Sequence, residues 1–411
     1  MAQVPEVYVL GGYQTDFARN WSKEKKHFVA MMREAVLGAL AETKIEPGEI
    51  EVAHTGNFAA ELYAKQGHLG AFFCEIDPAF SGLPTSRHEA ACASGSLAIQ
   101  AASAEIEAHR YDLACVVGVE QMKTVGAGEG GDFLGTAAWY ELEAKGIEFP
   151  FPKLFGKLGD EYDKRYGLKD EHLAEISTIN YANAKLNPNA QTRTWYMNYD
   201  HAMSRDEFNG TIGGRIHISD CSQVTDGAVA VMLASPEYAK KWADRNGVSL
   251  DDIPRIKGWG HNTARIRFED KVAESANDEY VLPHVRSTIT DAMKRAGIAD
   301  VSGIDSIETH DCFTTSEYMA IDHFGLTAPG QSWKAIESGE IALGGKTPIN
   351  PSGGLIGAGH PVGATGVRQV LDSHKQITGQ AGEYQVEGAK NVQTLNIGGS
   401  GTTSVSFVVG K

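Results

Sequence analysis

The stretch His88-Glu89-Ala90-Ala91-Cys92-Ala93-Ser94-Gly95-Ser96 places a thiol directly before a predicted helix. The following residues, LAIQAASAEIEAH (97–109), repeat apolar side chains at helical spacing, and LACVVGVE (113–120) has the composition of a buried strand. Free N–H groups and the helix dipole favour an anion at a helix N-terminus. We therefore predict that Cys92 is a nucleophilic thiol with a depressed pKa.

A second glycine-rich stretch far downstream, GAGHPVGATG (357–366), opens another predicted helix, VRQVLDSHKQI (367–377). It contains His360. A cysteine and a distant histidine presented in the same way suggest a thiol–imidazole pair that only the fold brings together. Because the two residues occupy matching positions in two halves of the chain, the pattern also indicates a duplication, with a site where two helix N-termini converge.

Five motifs in a fixed order resemble the thiolase superfamily over nearly the whole chain. They are HEAACASGS (88–96), SDCSQVTDGAVAVMLAS (219–235), THDCFTTSE (309–317), NPSGGLIGAGHPVGATG (350–366) and NIGGSGTTSVSFVV (396–409). The HDCF sequence at 310–313 is similar to the sterol-carrier-protein type of thiolase, in which it replaces an Asn-Glu-Ala-Phe motif.

Alternating strand-like and helix-like segments predict an α/β protein with a mainly parallel sheet. The resemblance implies the thiolase fold: two similar βαβαβαββ halves in a five-layered α/β/α/β/α arrangement, with an inserted loop domain. We assign residues 1–122 and 215–275 to the first half, 123–214 to the loop domain and 276–411 to the second half. The strand RIKGWGH (255–261) thus falls in the first half.

The resemblance also implies roles for individual residues. Cys92 would be the acylated nucleophile, and its N–H and that of Gly398 would form one oxyanion hole. His360 would activate the thiol and donate to the enolate oxygen. His310 would stand in the enolate oxyanion site, where other thiolases use an asparagine.

The terminal motif departs from the family pattern. Asn396 stands where most thiolases carry an acid/base cysteine, and an amide cannot shuttle protons. Asn396 is therefore predicted only to line the site. The resemblance to the HDCF type implies that Cys312 is the substitute acid/base, because in that type the cysteine reaches the same pocket. If Cys312 does not serve, either His310 does or condensation is not the reaction.

The predicted function is CoA-dependent cleavage, or reverse Claisen formation, of a 3-oxoacyl-CoA through an acyl-Cys92 thioester. The alternatives are a retro-aldol carbon–carbon lyase, whose relatives lack the nucleophilic cysteine, a ketosynthase-like condensing enzyme, and a non-catalytic acyl-CoA-binding protein. A bulky acyl chain could lie among aromatic residues of the insertion, namely Trp139, Tyr140, Phe149, Phe151, Phe155, Tyr162, Trp195 and Tyr196.

The composition also argues against several other classes of protein. A net charge of −16 over 411 residues argues against non-specific nucleic-acid binding. No apolar run of eighteen residues occurs, and the N-terminus does not resemble a secretory signal, so no membrane span is expected. The five cysteines show neither disulfide nor metal spacing, which predicts a cytoplasmic protein without a metal site.

The resemblance implies coenzyme A as a substrate, with no permanently bound cofactor. It also implies a homodimer or tetramer. A small zinc-ribbon/OB-fold partner protein is a further possibility that the resemblance raises.

Overall fold

The computed structural model describes residues 6–411 as one large sheet with helices on its faces. The strands are β1 (Val7–Gln14), β2 (Val52–Gly56), β3 (Thr85–His88), β4 (Leu113–Glu120), β5 (Thr211–Gly213), β6 (Ile216–His217), β7 (Gly227–Ala234), β8 (Arg255–Thr263), β9 (Ser306–Glu308), β10 (Asn391–Thr394), β11 (Asn396–Gly398) and β12 (Thr403–Gly410). The helices are α1 (Phe28–Thr43), α2 (Ala60–Tyr63), α3 (Ser94–Glu107), α4 (Ala127–Gly135), α5 (Pro150–Tyr166), α6 (Asp170–Leu186), α7 (Tyr199–Met203), α8 (Pro236–Asn246), α9 (Phe268–Glu274), α10 (Pro283–Arg295), α11 (Thr314–Phe324), α12 (Trp333–Glu337), α13 (Gly354–Ala358) and α14 (Thr365–Thr378).

The large sheet has the strand order β3-β2-β4-β7-β1-β8-β12-β10-β9, and β11 pairs with β12. Three of its nine pairings are parallel, namely β2–β3, β2–β4 and β9–β10. The other six are antiparallel. The prediction of a mainly parallel sheet was therefore wrong. Strands β10 to β12 follow one another through short connections, which permit only antiparallel pairing, and no crossover helix separates them.

Two helices form a central layer between the halves of the molecule. Helix α3 packs on β2 and β4, and α14 packs on α3 and on strands of both halves. Helix α1 covers β1, β4 and β7 on one outer face, whereas α10 covers β8 and β12 on the other. Because α14 lies inside, twelve of its fourteen residues are buried. This arrangement agrees with the predicted α/β thiolase fold.

Strand β8 belongs to the second half of the sheet. It pairs with β12 over eight residues but with β1 over only Val7 and Tyr8. The segment RIKGWGH, assigned above to the first half, therefore extends the second. The predicted bounds of the three domains otherwise stay a prediction.

The insertion between β4 and β7 holds α4 to α7 together with the small β5–β6 hairpin. Helices α5 and α6 pack against α11, and α6 also packs against α13. Phe155 of α5 stacks on Phe313, with ring centroids 4.9 Å apart. The insertion thus covers the HDCF motif and the segment leading to His360. Nowhere in residues 6–411 is a helix long and apolar enough to cross a membrane.

Candidate active site

Cys92 lies in a tight turn between β3 and α3. Ala91 has a left-handed backbone with φ of 50°, a conformation that is costly for a residue with a side chain. The Ser94 hydroxyl supports this turn, because it donates to Ala91 O at 2.6 Å and accepts from Ala90 N at 2.9 Å. The turn presents the partly exposed Cys92 to a cavity between the sheet and the insertion.

His360 is held in one orientation by its neighbours. Its backbone N–H donates to Thr225 Oγ1 at 2.9 Å, and its Nδ1 lies 2.6 Å from Thr365 Oγ1. The Thr365 hydroxyl donates to Pro361 O at 3.3 Å, so its oxygen accepts a hydrogen from Nδ1. This network assigns the proton to Nδ1 and leaves a lone pair on Nε2, which has no hydrogen-bond partner.

His310 has the opposite tautomer by the same reasoning. The Ser96 hydroxyl donates to Asn396 Oδ1 at 2.9 Å, which turns the amide nitrogen of Asn396 toward His310. That nitrogen lies 3.1 Å from His310 Nδ1 and can only donate, so Nδ1 accepts. The proton of His310 is therefore assigned to Nε2, which is buried without a partner.

The structure brings Cys92, His310 and His360 together. The Cys92 sulfur and one nitrogen from each imidazole all lie within 4.8 Å of one another. The two rings meet edge to face, with centroids 5.2 Å apart. Burial, and then the charge of Arg368, lowers the pKa of His360 to about 3. Burial, His360 and Arg368 also hold the pKa of His310 well below its ordinary value. Both imidazoles are therefore neutral: one offers a base and the other a hydrogen-bond donor.

The predicted depressed pKa of Cys92 was wrong. Burial, followed by the charge of Glu120, raises the pKa of this thiol to about 12. The backbone N–H groups of Gly399 and of Cys92 itself oppose the rise but do not overcome it. The helix begins only at Ser94, and the thiol lies in an apolar cavity beneath the insertion, so desolvation outweighs the helix terminus.

The terminal motif lies close to the Cys92 turn. The backbone amide of Gly399, one residue after the predicted Gly398, opposes the rise in the pKa of the Cys92 thiol. Gly398 ends β11, and its carbonyl accepts from Thr402 N at 3.0 Å. A side chain at Gly398 would collide with the carbonyl oxygen of Ala90, which shows how closely β11 approaches the Cys92 turn. The oxyanion role of Gly398 stays a prediction.

Glu120 was missed by the sequence analysis. Its Oε1 accepts from Asn57 Nδ2 at 2.9 Å and Ala59 N at 3.2 Å, and its Oε2 accepts from Phe58 N at 2.9 Å and Gly363 N at 3.0 Å. Burial raises the pKa of this carboxyl to about 7, and the three backbone donors oppose that rise. Because four donors satisfy it, we assign Glu120 as a carboxylate that ties the His360 loop to the first half. The sequence feature that could have revealed Glu120 is its position as the acidic last residue of the otherwise apolar strand β4.

Cys312 is buried beside the same site. It lines the cavity with Cys92, and its sulfur lies 4.0 Å from Ser316 Oγ. Burial, and then the proximity of Cys92, holds the pKa of Cys312 well above its ordinary value. Its neighbour Asp311 is structural, because it accepts from Leu355 N at 2.6 Å and Ile356 N at 3.2 Å at the start of α13.

The cavity beside Cys92 has a volume of about 300 Å³ and an apolar wall. Phe149, Phe151 and Phe155 of the insertion line it, as the aromatic composition suggested, whereas Trp195 and Tyr196 are exposed. Its other large apolar lining residues are Phe58, Met122, Leu134, Ile212, Ile218, Val224, Phe313 and Val362. A larger cleft of about 740 Å³ lies at the far end of α14, and its lining residues include no cysteine. We therefore place the site at the smaller cavity.

Comparisons with known proteins agree with this geometry. Residues 7–194 match the family model of the thiolase N-terminal domain, and residues 269–411 match that of a thiolase C-terminal domain-like region. The acetyl-CoA acetyltransferase of Methanothermobacter thermautotrophicus is 31% identical over 404 residues, 98% of this chain and 99% of that protein. The chain belongs to the thiolase family. The predicted fold, family and acyltransferase class are thereby confirmed.

Other thiolase relatives extend the comparison. Sterol carrier protein 2 of Rattus norvegicus is 28% identical over 98% of this chain and 72% of its own length. Two solved structures share the fold at low identity. The Ltp2-ChsH2(DUF35) aldolase has a TM-score of 0.79 at 20% identity and covers 99% of this chain and 98% of its own. Human mitochondrial 3-ketoacyl-CoA thiolase in complex with CoA has a TM-score of 0.68 at 18% identity. The match covers 100% of this chain and 99% of that thiolase chain.

Proposed function

We propose that this thiolase moves acyl groups between coenzyme A and a 3-oxoacyl-CoA through a thioester on Cys92. The observation that carries the proposal is the neutral group of Cys92, His310 and His360 beside an apolar cavity. It supplies a nucleophile, a base on His360 Nε2 and a donor on His310 Nε2, on side chains whose sulfur and one nitrogen from each ring lie within 4.8 Å of one another. The acetyl-CoA acetyltransferase relatives support the same reaction class.

In the cleavage direction, His360 Nε2 takes the thiol proton as the Cys92 sulfur attacks the 3-oxo carbon. A thiol with a raised pKa has little free thiolate, so proton transfer must accompany attack. The developing oxyanion accepts from the N–H of Cys92 and from a glycine N–H of the terminal motif, Gly398 or Gly399. Collapse breaks the bond between the alpha and beta carbons and leaves the acyl group on sulfur.

The electrons of the broken bond pass into the acetyl-CoA enolate. His310 Nε2–H and the newly protonated His360 donate to the enolate oxygen, and the Cys312 thiol protonates its carbon. A coenzyme A thiol then gives its proton to the Cys312 thiolate and attacks the acyl-Cys92 carbonyl, and protonated His360 returns its proton to the departing Cys92 sulfur. This step releases the shortened acyl-CoA and restores the thiol, while the condensation direction reverses every transfer.

Partners and assembly are part of the proposal. Strand β3 pairs only with β2 among the described strands, and its four residues are partly exposed, so this edge is available to a second copy in a homodimer. The Ltp2-ChsH2(DUF35) aldolase combines two components, which supports a small zinc-ribbon/OB-fold partner here. The same structure keeps the retro-aldol alternative open, although the Cys92 site favours acyl transfer. The free cysteines fit a cytoplasmic protein.

The test is intact-protein mass spectrometry after incubation with acetyl-CoA and a panel of acyl- and 3-oxoacyl-CoA esters, with peptide mapping. We expect an acyl adduct on Cys92 that free coenzyme A removes. Cys92→Ser should lose this exchangeable adduct, whereas Cys74→Ser, which changes an exposed thiol, should keep it. A folded protein that binds coenzyme A but forms no adduct with any ester would overturn the proposal.

A further inference from the structure

We propose that Cys92, His310 and His360 form a three-ligand site for a borderline divalent cation such as Zn²⁺, and that the bound ion blocks the thiol. One thiol sulfur and two imidazole nitrogens form a ligand set that Zn²⁺ prefers. The three ligand atoms already lie within 4.8 Å of one another. Zn–S and Zn–N bonds of about 2.0–2.3 Å need ligand atoms somewhat closer together, so small side-chain rotations complete the site.

The second observation is the state of the two Nε2 atoms. Both are buried and have no hydrogen-bond partner in the fold. His310 is 1% exposed and His360 is 6% exposed, so each side chain is more than nine-tenths buried. Unpartnered buried nitrogens are rare in folded proteins because each one loses its hydrogen bond to water. Each ring also has one nitrogen within 4.8 Å of the other ring's nitrogen and of the Cys92 sulfur, so a cation bound there would take the nitrogens that the fold leaves unpartnered.

Surrounding contacts orient the ligands. His360 already carries its proton on Nδ1, held by Thr365, and so presents a lone pair from Nε2. His310 must move its proton from Nε2 to Nδ1. Asn396 accommodates that change by turning its amide, since Oδ1 can then accept from Nδ1–H while the amide nitrogen faces Ser96. The Asn396 amide can therefore donate to one tautomer of His310 and accept from the other.

Charge and protons balance in this step. Binding forms one bond from sulfur and two from nitrogen to the cation, and the Cys92 thiol releases one proton to solvent. The thiolate leaves a net charge of +1 at the site, and the neighbouring Glu120 carboxylate favours it electrostatically. No oxidant or reductant is needed, because Zn²⁺ does not change its oxidation state. The fourth ligand position remains for water on the cavity side of Cys92.

The sequence predicted no metal site, because the three ligands lie in separate motifs with no ligand spacing. Within residues 6–411, the structure brings together no other set of three such side chains. The proposed inhibition rests on the proposed function, since an ion on the sulfur prevents acylation. The proposed binding does not, because it can be measured without any acyl-CoA.

The binding test uses the full chain and Co²⁺, a spectroscopic substitute for Zn²⁺. We expect one ion per chain, with visible bands of tetrahedral cobalt and a near-ultraviolet thiolate-to-cobalt band that Zn²⁺ displaces. Cys92→Ser should remove the thiolate band and weaken binding by about 100-fold or more. Cys74→Ser and Cys312→Ser should keep the band. A spectrum of purely octahedral cobalt, or a thiolate band that disappears in Cys74→Ser or Cys312→Ser instead, would overturn the site.

A second measurement on the unchanged protein guards against a variant that fails to fold. At an alkaline pH at which Cys92 of the metal-free protein reacts measurably, stoichiometric Zn²⁺ should protect Cys92, but not Cys74, from iodoacetamide, and a chelator should reverse the protection. Zn²⁺ should also block formation of the acyl-Cys92 adduct. An adduct that forms only without Zn²⁺ supports both proposals. Cobalt binding at Cys92 without any adduct contradicts the acyl-transfer function alone, and an adduct unaffected by Zn²⁺ contradicts the metal inference alone.

Discussion

The side-chain amide nitrogen of Asn396 lies 3.1 Å from Nδ1 of His310. Because the Ser96 hydroxyl occupies the other end of the amide, Asn396 donates to this ring and places the His310 proton on Nε2. Most thiolases carry an acid/base cysteine at the Asn396 position. In this chain Asn396 contacts the His310 ring, and an amide cannot shuttle protons, so the proposed mechanism gives the acid/base role to Cys312.

Asn396→Asp tests this positioning role. A carboxylate accepts from Nδ1–H and so reverses the tautomer, which removes the Nε2–H donor from the enolate site. We expect kcat for carbon–carbon cleavage to fall by about 10²–10³-fold, the usual effect of losing one oxyanion donor. Acylation of Cys92 by a simple acyl-CoA, which forms no enolate, should change far less. Mass spectrometry of the adduct beside the steady-state rate separates the two effects.

Ser96→Ala is the matched control, because it keeps the amide but frees its orientation. Ser96→Ala should lower kcat for carbon–carbon cleavage less than Asn396→Asp does in the same assay. Equal losses of acylation and of cleavage in Asn396→Asp would show that the residue only supports the fold.

The Cys92 thiol should resist alkylation at neutral pH. Its pKa of about 12 leaves it protonated, so the rate with iodoacetamide should rise about tenfold for each pH unit up to the highest pH that the fold tolerates. In urea the same thiol should reach a plateau above its ordinary pKa of about 8.5. Peptide-resolved mass spectrometry follows Cys92 alone, and a plateau below pH 9 in the folded protein would contradict the raised pKa.

Glu120→Gln should lower both the stability and the thiol pKa. The new NH₂ group would face two donors that now bind a carboxylate oxygen. Each unsatisfied donor costs about 1–3 kcal/mol, so the free energy of unfolding in urea should fall by about 2–6 kcal/mol. Loss of the charge should also shift the alkylation profile of Cys92 to lower pH, because Glu120 raises this pKa.

Glu383→Gln, at an exposed position, is the control for Glu120→Gln and should change neither quantity. A Glu120→Gln variant with normal stability and an unchanged alkylation profile would show that the carboxylate contributes little.

The sequence identified the elements that carry the chemistry but not their electrostatics. Strands β4 and β12 and helices α3 and α14 were predicted from periodicity, since each is long and strongly patterned. The antiparallel pairings were not, because strand direction depends on connections across the whole chain. The pKa of Cys92 depends on enclosure and on Glu120, which is close only in the folded protein.

The site shows the same division between local and distant information. Sequence motifs predicted Cys92, His310, Cys312 and His360 as site residues. The orientation of His310, however, rests on the contact between Ser96 and Asn396, which lie in opposite halves of the chain. No local pattern connects such residues, so the tautomers required the structure.

Arg368→Met should be strongly destabilising. This arginine is fully buried and pairs with Asp372 at 2.8 Å and with Glu308 at 3.6 Å. Removing one partner of a buried ion pair leaves uncompensated charge, so we expect a loss of about 3–5 kcal/mol in the free energy of unfolding. Lys375→Met, which removes a partly exposed partner 3.5 Å from Asp372, should cost less than about 1 kcal/mol.

The loss caused by Arg368→Met should depend on pH. Burial raises the pKa of Glu308 to about 7, and Arg368 opposes that rise. The folded state therefore holds a proton that the unfolded state releases above about pH 4.5, and stability falls as pH rises toward 7. Without Arg368 the pKa of Glu308 should rise further, so the fall in stability should extend to higher pH. Urea unfolding of both proteins between pH 5 and 8 measures the difference in their free energies of unfolding. A difference that is independent of pH would contradict this account.

Cys312→Ala distinguishes the acid/base step from nucleophilic attack. The thiol lines the cavity with Cys92 but lies outside the Cys92–His310–His360 group. If Cys312 carries the alpha proton, the variant should still form the acyl-Cys92 adduct. The rate at which the methyl hydrogens of acetyl-CoA exchange with deuterated solvent, measured by NMR, should fall by about 10²–10⁴-fold, the usual contribution of a general acid–base group.

The control variant Cys74→Ser should exchange these hydrogens at the normal rate. Full exchange in Cys312→Ala would assign the alpha proton to His310 instead, because His310 is the remaining candidate in the site.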